Sequence, residues 1–455
     1  MFKTKPLISF IIIFWGLLPA FSALANVIGS WQGELKVNEN TSLPMIVHFS
    51  QESDQITATL DSPAQGATGI PINEVVVALP EVSFKVNAIG MRFTGSFSNP
   101  DTITGTFTQG SAKLPLVLNR SIEIVKAPER PQTPEAPFDY VIEDVVFKNS
   151  KANINLAGTL TKPKGEGDFA AVILISGSGP QDRDETLFGH KPFAVIADYL
   201  TTQGLAVLRF DDRGTAQSGG DFATATSEDF VEDVQAAFEF LAARSDIKQH
   251  KIGLIGHSEG GMIAPMLASK NQDIAFVVMM AGLGVDGVSL VTQQSFDIQK
   301  LMGVEEAALK AQRQQDTQLY KRIVNGMSSE EIHDYFIQKG ATEAAATGKA
   351  QQLGSPWMRF FLGYQPKQYL DKVSCPILAI NGAKDLQVAA QTNLAALNTL
   401  LTANNHADFT IKSLPNLNHL FQNADTGLPN EYASIEQTMD THVLVLMAEW
   451  INARI

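Results

Sequence analysis

The stretch Lys251-Ile252-Gly253-Leu254-Ile255-Gly256-His257-Ser258-Glu259-Gly260-Gly261-Met262 decides how this chain folds. Ile252 to Ile255 is a short apolar run, as in a strand buried on both faces. Met262 to Lys270 reads as helix. Between them stands Gly256-x-Ser258-x-Gly260. The five-residue pattern alone is a weak signal, and its setting makes it a strong one. A strand, a sharp turn and a helix lift a serine hydroxyl off the end of a sheet. Gly256 and Gly260 lack the bulk that would keep strand and helix apart. The helix N-terminus beneath supplies free N–H groups and positive partial charge. Pro265 falls inside that helix and predicts a mild kink.

Working outward, the same rhythm repeats. Ala170 to Ile175, Leu205 to Phe210, Ile274 to Met280, Cys375 to Ile380 and Phe409 to Leu414 are further apolar runs. Helical patterns separate them, at Phe193 to Leu200 and at Phe230 to Leu241, where Phe230, Val234, Ala237, Phe238 and Leu241 recur at spacings of three and four. Strand and helix in alternation predict an α/β, doubly wound, mostly parallel sheet. Two strands ahead of Ala170, near Val145 and over Ile154 to Thr161, predict an antiparallel start. Residues 285 to 373 break the rhythm, being helical, polar and free of strands. Ser328-Ser329-Glu330-Glu331 has the form of a capping box. Trp357, Phe360, Phe361 and Tyr364 form an aromatic cluster near its end. An insertion at this place is expected to be a lid, with Trp357 and Phe361 in a substrate pocket.

A serine hydroxyl is a poor nucleophile without a base. A serine in this kind of turn takes its partners in the chain order Ser, acid, His. Asp385 follows a buried strand directly in Asn381-Gly382-Ala383-Lys384-Asp385 and is the candidate acid. His419, just past the strand ending near Leu414, is the candidate base. The other histidines fit worse. His257 is expected to point away from the serine, His250 to precede its strand and His406 to sit at the wrong edge of the sheet. His442 belongs to a terminal helix, His333 to the lid and His190 to the region after the loop below. An oxyanion hole needs backbone N–H groups aimed at developing charge. Glu259, the residue after the nucleophile, would supply one. Ser178, in the loop Ser176-Gly177-Ser178-Gly179-Pro180-Gln181-Asp182-Arg183-Asp184, would supply the other.

These stretches, with Leu417-Asn418-His419-Leu420-Phe421 and the turn Phe210-Asp211-Asp212-Arg213-Gly214-Thr215-Ala216-Gln217-Ser218-Gly219, carry a resemblance. From about residue 140 onward the chain resembles the α/β-hydrolase superfamily, near its serine-aminopeptidase-like and secreted esterase branches. The resemblance implies a Ser-Asp-His triad on Ser258, Asp385 and His419, with no cofactor and no metal. Two positions depart from it. Ser176 stands where many relatives have His, and Ala216 where the later turn usually has Gly.

The remainder sets the context. Residues 26–122 read as a small antiparallel β domain, barrel or sandwich, with Met45 to Phe49 and Val82 to Val86 as strands and turn residues between. Gly29-Ser30-Trp31-Gln32-Gly33 and Leu60-Asp61-Ser62-Pro63-Ala64-Gln65-Gly66 resemble β domains found upstream of secreted hydrolases. His48 is read as structural, with no acid nearby. Residues 123–139, with Pro128, Pro131, Pro134 and Pro137, read as a stiff linker, and residues 140–455 as the hydrolase domain. Lys3, Lys5, the apolar run Leu7 to Leu18 and Ala23-Leu24-Ala25 form an export signal over residues 1–25, so that the mature chain would start at Asn26. The expected destination is the periplasm in a Gram-negative bacterium and the exterior otherwise, with no membrane span after signal cleavage. A single cysteine, Cys375, excludes an internal disulfide framework and is expected to be buried and inert. The net charge of −14 points away from nucleic acid or an anionic membrane surface. The expected function is hydrolysis of carboxylic esters through an acyl-enzyme on Ser258. An aminopeptidase-like activity on short peptides is the alternative, and a non-catalytic envelope-binding role is the third reading.

Overall fold

A computed structural model describes residues 27–38, 41–52, 55–62, 67–87, 90–109, 112–121 and 129–455. The export signal at residues 1–25, Asn26, Pro128 and the turn Pro63 to Gly66 lie outside them. The chain divides into two compact units, residues 1–126 and 127–455.

Among its described residues, the first unit is one nine-stranded sheet. Its strands are β1 (Gly29–Asn38), β2 (Thr41–Glu52), β3 (Gln55–Ser62), β4 (Ala67–Pro71), β5 (Glu74–Ala78), β6 (Glu81–Val86), β7 (Met91–Asn99), β8 (Thr102–Gln109) and β9 (Ala112–Arg120). Their order is β4-β3-β2-β1-β9-β8-β7-β6-β5, each pair antiparallel. Alternation drives it: Val82, Phe84 and Val86 of β6 are buried, while Glu81 faces water. Trp31, Phe49, Phe84 and Phe93 fill the core, with Phe84 stacked on Phe93 at 5.0 Å. His48 does have an acid nearby, contrary to expectation. Its Nε2 lies 2.8 Å from Asp61 Oδ2 and its Nδ1 2.8 Å from Ser30 Oγ. The three residues sit on adjacent strands, so sequence distance hid their proximity.

The second unit is built on eight strands: β10 (Tyr140–Asn149), β11 (Ile154–Pro163), β12 (Phe169–Ile175), β13 (Ala206–Phe210), β14 (Ile247–His257), β15 (Val277–Met280), β16 (Ile377–Gly382) and β17 (Phe409–Leu414). The order is β10-β11-β13-β12-β14-β15-β16-β17. Only β11 runs against its neighbours; β13 to β17 are parallel. Near-continuous burial of β12, β16 and residues 252–257 of β14 reflects helices on both faces. These are α1 (Pro192–Thr202), α2 (Ser227–Ala242), α3 (Gly260–Ala268), α10 (Ala390–Ala403) and α11 (Thr441–Asn452). From β12 the chain crosses to β13 on one side, then to β14 on the other. Such a switch opens a crevice outside the carboxyl ends of the strands.

Between β15 and β16 lies a helical insertion: α4 (Gly287–Leu301), α5 (Glu306–Val324), α6 (Ser329–Gln338), α7 (Glu343–Gly354), α8 (Pro356–Gly363) and α9 (Pro366–Leu370). It has its own small core of Val288, Leu319, Ile323, Ile332, Leu353 and Leu362. Ser328 caps α6, with Oγ accepting from the Glu331 N–H at 3.1 Å and the Glu331 carboxylate accepting from the Ser328 N–H at 2.7 Å.

Several local expectations shift. Strand β14 starts at Ile247, so His250 lies within it. Cys375 precedes β16, is half-buried rather than buried, and has its thiol pushed up to about 12 by desolvation. The described part of the linker is fastened down: Arg130 donates to the carbonyls of Phe188, Ala433 and Ile435, and the Gln132 amide bonds the backbone of Thr438 and Met439. Among the described residues, no helix is long and apolar enough to cross a membrane, and no cluster of His, Cys, Asp and Glu could hold a metal ion.

Candidate active site

Ser258 stands at the carboxyl end of β14, in the left-handed region at φ 55°. A non-glycine residue held there is strained. Its N–H donates to the Met280 carbonyl at 2.8 Å, which pins the turn to β15. The flanking glycines are obligatory for space. A Cβ on Gly256 would come 2.0 Å from the Gly260 carbonyl oxygen, and one on Gly260 would come 2.1 Å from that of Ile175.

Asp385 follows β16. One carboxylate oxygen accepts from the N–H groups of Gln387 (2.8 Å) and Val388 (2.9 Å). The other accepts from His419 Nδ1 at 2.8 Å. Both side chains are buried. The loop after β17 presents His419 because Asn416 and Phe421 adopt left-handed turns, at φ 63° and 60°. Asn418 Oδ1 accepts from the N–H groups of Leu420 and Gln422, closing the loop around the imidazole. With Nδ1 tied to the acid, Nε2 is the nitrogen left for other work. Ser258 and His419 line one cleft of about 390 Å³.

The loop after β12 forms another wall of the cleft, where Gly177, Ser178 and Gln181 line it. Ser176, where relatives have His, donates from Oγ to Asp212 at 2.6 Å, and the Gln181 N–H donates to the same carboxyl at 2.9 Å. Desolvation pushes that carboxyl up to about 8. Arg183 clamps Asp211 with Nε at 3.0 Å and Nη2 at 2.7 Å. Ala216, where relatives have Gly, sits at φ 45°, a conformation that glycine adopts without strain. Among the described residues, the backbone N–H groups of Ser178 and Glu259 have no internal partner.

Trp357 and Phe361 line the cleft, stacked at 5.1 Å, with Leu290, Val291 and Met358 beside them. Phe360 and Tyr364 do not line it. The Trp357 Nε1–H donates to Glu259 Oε1 at 2.9 Å, and Ser227 donates to the same oxygen at 2.6 Å. Burial pushes this carboxyl up, against bonds from Ser227, Trp357 and Ser178 that lower it. Trp357 of the helical insertion thus holds the Glu259 side chain in its direction.

Two further residues escaped sequence reading. Glu185 is buried at the cleft wall, its Oε1 accepting from the Gly177 N–H at 2.6 Å. His257 bridges Glu185 and the His419 carbonyl, at 3.0 Å each. Burial alone would lower the His257 pKa; the facing Glu185 carboxylate raises it, and the net shift is upward. The signal available was the polar His257 inside a buried strand end.

A strained serine above a parallel sheet, sharing its cleft with an imidazole that a buried carboxylate holds from behind, defines a serine hydrolase of the α/β-hydrolase type. Residues 108–412 match the family described as X-Pro dipeptidyl-peptidase (S15 family), and the chain belongs to that family. It is similar to the esterase EstD of Thermotoga maritima, at 26% identity over 326 residues, which cover 69% of this chain and 70% of EstD. Among solved structures, it is similar to the Pyrococcus furiosus esterase Pf2001 at 16% identity and a TM-score of 0.44, covering 73% of this chain and 99% of that one. The hypothetical protein PA2218 of Pseudomonas aeruginosa gives 18% identity and a TM-score of 0.45, covering 74% and 100%.

Proposed function

We propose that this hydrolase cleaves carboxylic esters through an acyl-enzyme on Ser258. The observation that carries the reading is the buried 2.8 Å contact of Asp385 with His419, which lines the same cleft as Ser258. Ser258 Oγ attacks the acyl carbonyl, His419 Nε2 takes its proton, and Asp385 holds the tautomer and offsets the imidazolium charge. The N–H groups of Glu259 and Ser178 receive the tetrahedral oxyanion. His419 returns the proton to the leaving alkoxide, and water then releases the acid by the same steps.

The helical insertion acts as a lid, and Trp357 with Phe361 receives an apolar acyl group. The likeness to EstD supports an ester substrate. So does the cleft lining. Among the described residues its one carboxylate is Glu185, and that group already serves Gly177 and His257. A peptidase that trims free N-termini needs a carboxylate available to the substrate ammonium. The S15 family match favours that second reading, cleavage of short peptides at the same serine.

Purified protein and Ser258→Ala, assayed on short-chain nitrophenyl esters and an aminoacyl-amide panel, test both. Loss of ester turnover in Ser258→Ala is expected, with esters the better substrates by kcat/KM. Equal turnover in the two proteins sinks the nucleophile, and a preference for the amides decides for the peptidase.

A further inference from the structure

We propose that Glu185 and His257 are a positioning pair that ties the loop carrying the oxyanion donor to the loop carrying the base, on either side of Ser258. The inference rests on the reading of Ser258 and His419 given above.

The connection is continuous. The Gly177 N–H donates to Glu185 Oε1 at 2.6 Å, Glu185 Oε1 faces His257 Nδ1 at 3.0 Å, and His257 Nε2 faces the His419 carbonyl at 3.0 Å. A carbonyl oxygen only accepts, so Nε2 carries a proton. Gly177 precedes Ser178, the proposed oxyanion donor, and His257 precedes the nucleophile. There is little slack at the loop end: a Cβ on Gly177 would lie 3.1 Å from Glu185 Oε1 and 3.2 Å from Ser258 Cβ.

The pair is expensive. Glu185 and His257 are 5% and 6% exposed, Glu185 sits at φ 51°, and its Oε2 is buried with no partner among the described residues. Burying a carboxyl with one oxygen unpaired costs stability. Holding reacting groups within a fraction of an ångström does return rate: a misplacement of ~1 Å costs about 100-fold. The pair spans the two groups whose spacing sets that geometry.

Glutamine at 185 keeps an oxygen for the Gly177 N–H but lacks the negative charge that holds a proton on both ring nitrogens of His257. A ring that keeps only its Nε2 proton turns the Nδ1 lone pair toward that oxygen, and the contact is lost. Glutamine at 257 is different, because its amide N–H reaches the place of Nε2 and can still serve the His419 carbonyl. The test compares Glu185→Gln, His257→Leu and His257→Gln with wild type and Ser258→Ala. It measures kcat and KM on a short nitrophenyl ester, and thermal midpoints. Glu185→Gln and His257→Leu should lose roughly 10- to 100-fold in kcat with KM within about twofold, as expected for lost orientation. His257→Gln should recover most of that loss, and the double variant Glu185→Gln/His257→Leu should be no worse than His257→Leu. Wild-type kcat in Glu185→Gln and His257→Leu with lowered midpoints would make the pair mere packing and overturn the proposal. Equal loss in His257→Gln and His257→Leu would overturn it too. If His257→Leu fails to fold, Glu185→Gln and His257→Gln decide, since wild-type kcat in Glu185→Gln refutes the pair. Full turnover in Ser258→Ala would instead refute the nucleophile.

Discussion

His419 Nδ1 lies 2.8 Å from a carboxylate oxygen of Asp385, and the second oxygen of that carboxylate is held by two backbone N–H groups. The acid is therefore fixed in rotation, and it fixes the imidazole in turn. Asp385→Asn would present an amide N–H to Nδ1 or lose the backbone bonds, favouring the wrong tautomer. We expect kcat to fall by about 10³- to 10⁴-fold with the fold intact. Steady-state ester kinetics alongside circular dichroism check this; a fall below tenfold would remove Asp385 from the proposed triad.

The glycines of the turn give a steric prediction. Alanine at 260 would drive its Cβ to 2.1 Å from the Ile175 carbonyl, at the start of the loop after β12. Backbone on both sides leaves no room to yield. Gly260→Ala should cost at least ~3 kcal/mol, in the range of severe core overpacking. Denaturant unfolding measures it.

Trp357 should set acyl preference. Trp357→Phe keeps a ring against Phe361 but removes the N–H that Glu259 accepts, while Trp357→Ala empties that wall. The alanine variant should shift the optimum toward longer acyl chains, by about 1–3 kcal/mol in kcat/KM per favoured pair of substrates. A nitrophenyl ester series from acetate to octanoate would show it, and an unchanged profile would place Trp357 outside the pocket.

A buried ion pair gives a stability prediction away from the cleft. Arg213 Nε and Nη2 meet Asp233 at 2.6 and 2.9 Å, and Asn149 also donates to that carboxylate. Both charged side chains are nearly solvent-free. Arg213→Ala would leave Asp233 buried without its counter-charge, at a cost of roughly 3–5 kcal/mol. The double variant Arg213→Ala/Asp233→Ala should recover part of this.

Acid sensitivity should trace to His190. Desolvation lowers it to about 4, and the nearby Arg130 pushes the same way. Its Nδ1 meets Thr438 Oγ1 at 2.9 Å. The folded state therefore holds this residue neutral where the unfolded chain, titrating near 6.5, takes up a proton. Stability is present in full above about 6.5 and is lost as pH falls from there toward 4, at about 1.4 kcal/mol per unit of pH. His190→Gln should flatten that limb of a stability–pH curve.

The sequence alone determined the strand–turn–helix around Ser258. Local patterning suffices there: a run of apolar residues has no favourable place except between helix layers, and two glycines permit only a tight approach. It also determined the order of Ser258, Asp385 and His419, because each follows a run that must be a core strand. Only the tertiary structure decided what these residues touch. Asp61 beside His48, Glu185 beside His257 and Trp357 on Glu259 are joined across 13, 72 and 98 positions of sequence. No periodicity encodes such pairs. They arise when strand register and loop closure bring distant segments together, and a buried polar group then takes whichever partner that packing supplies.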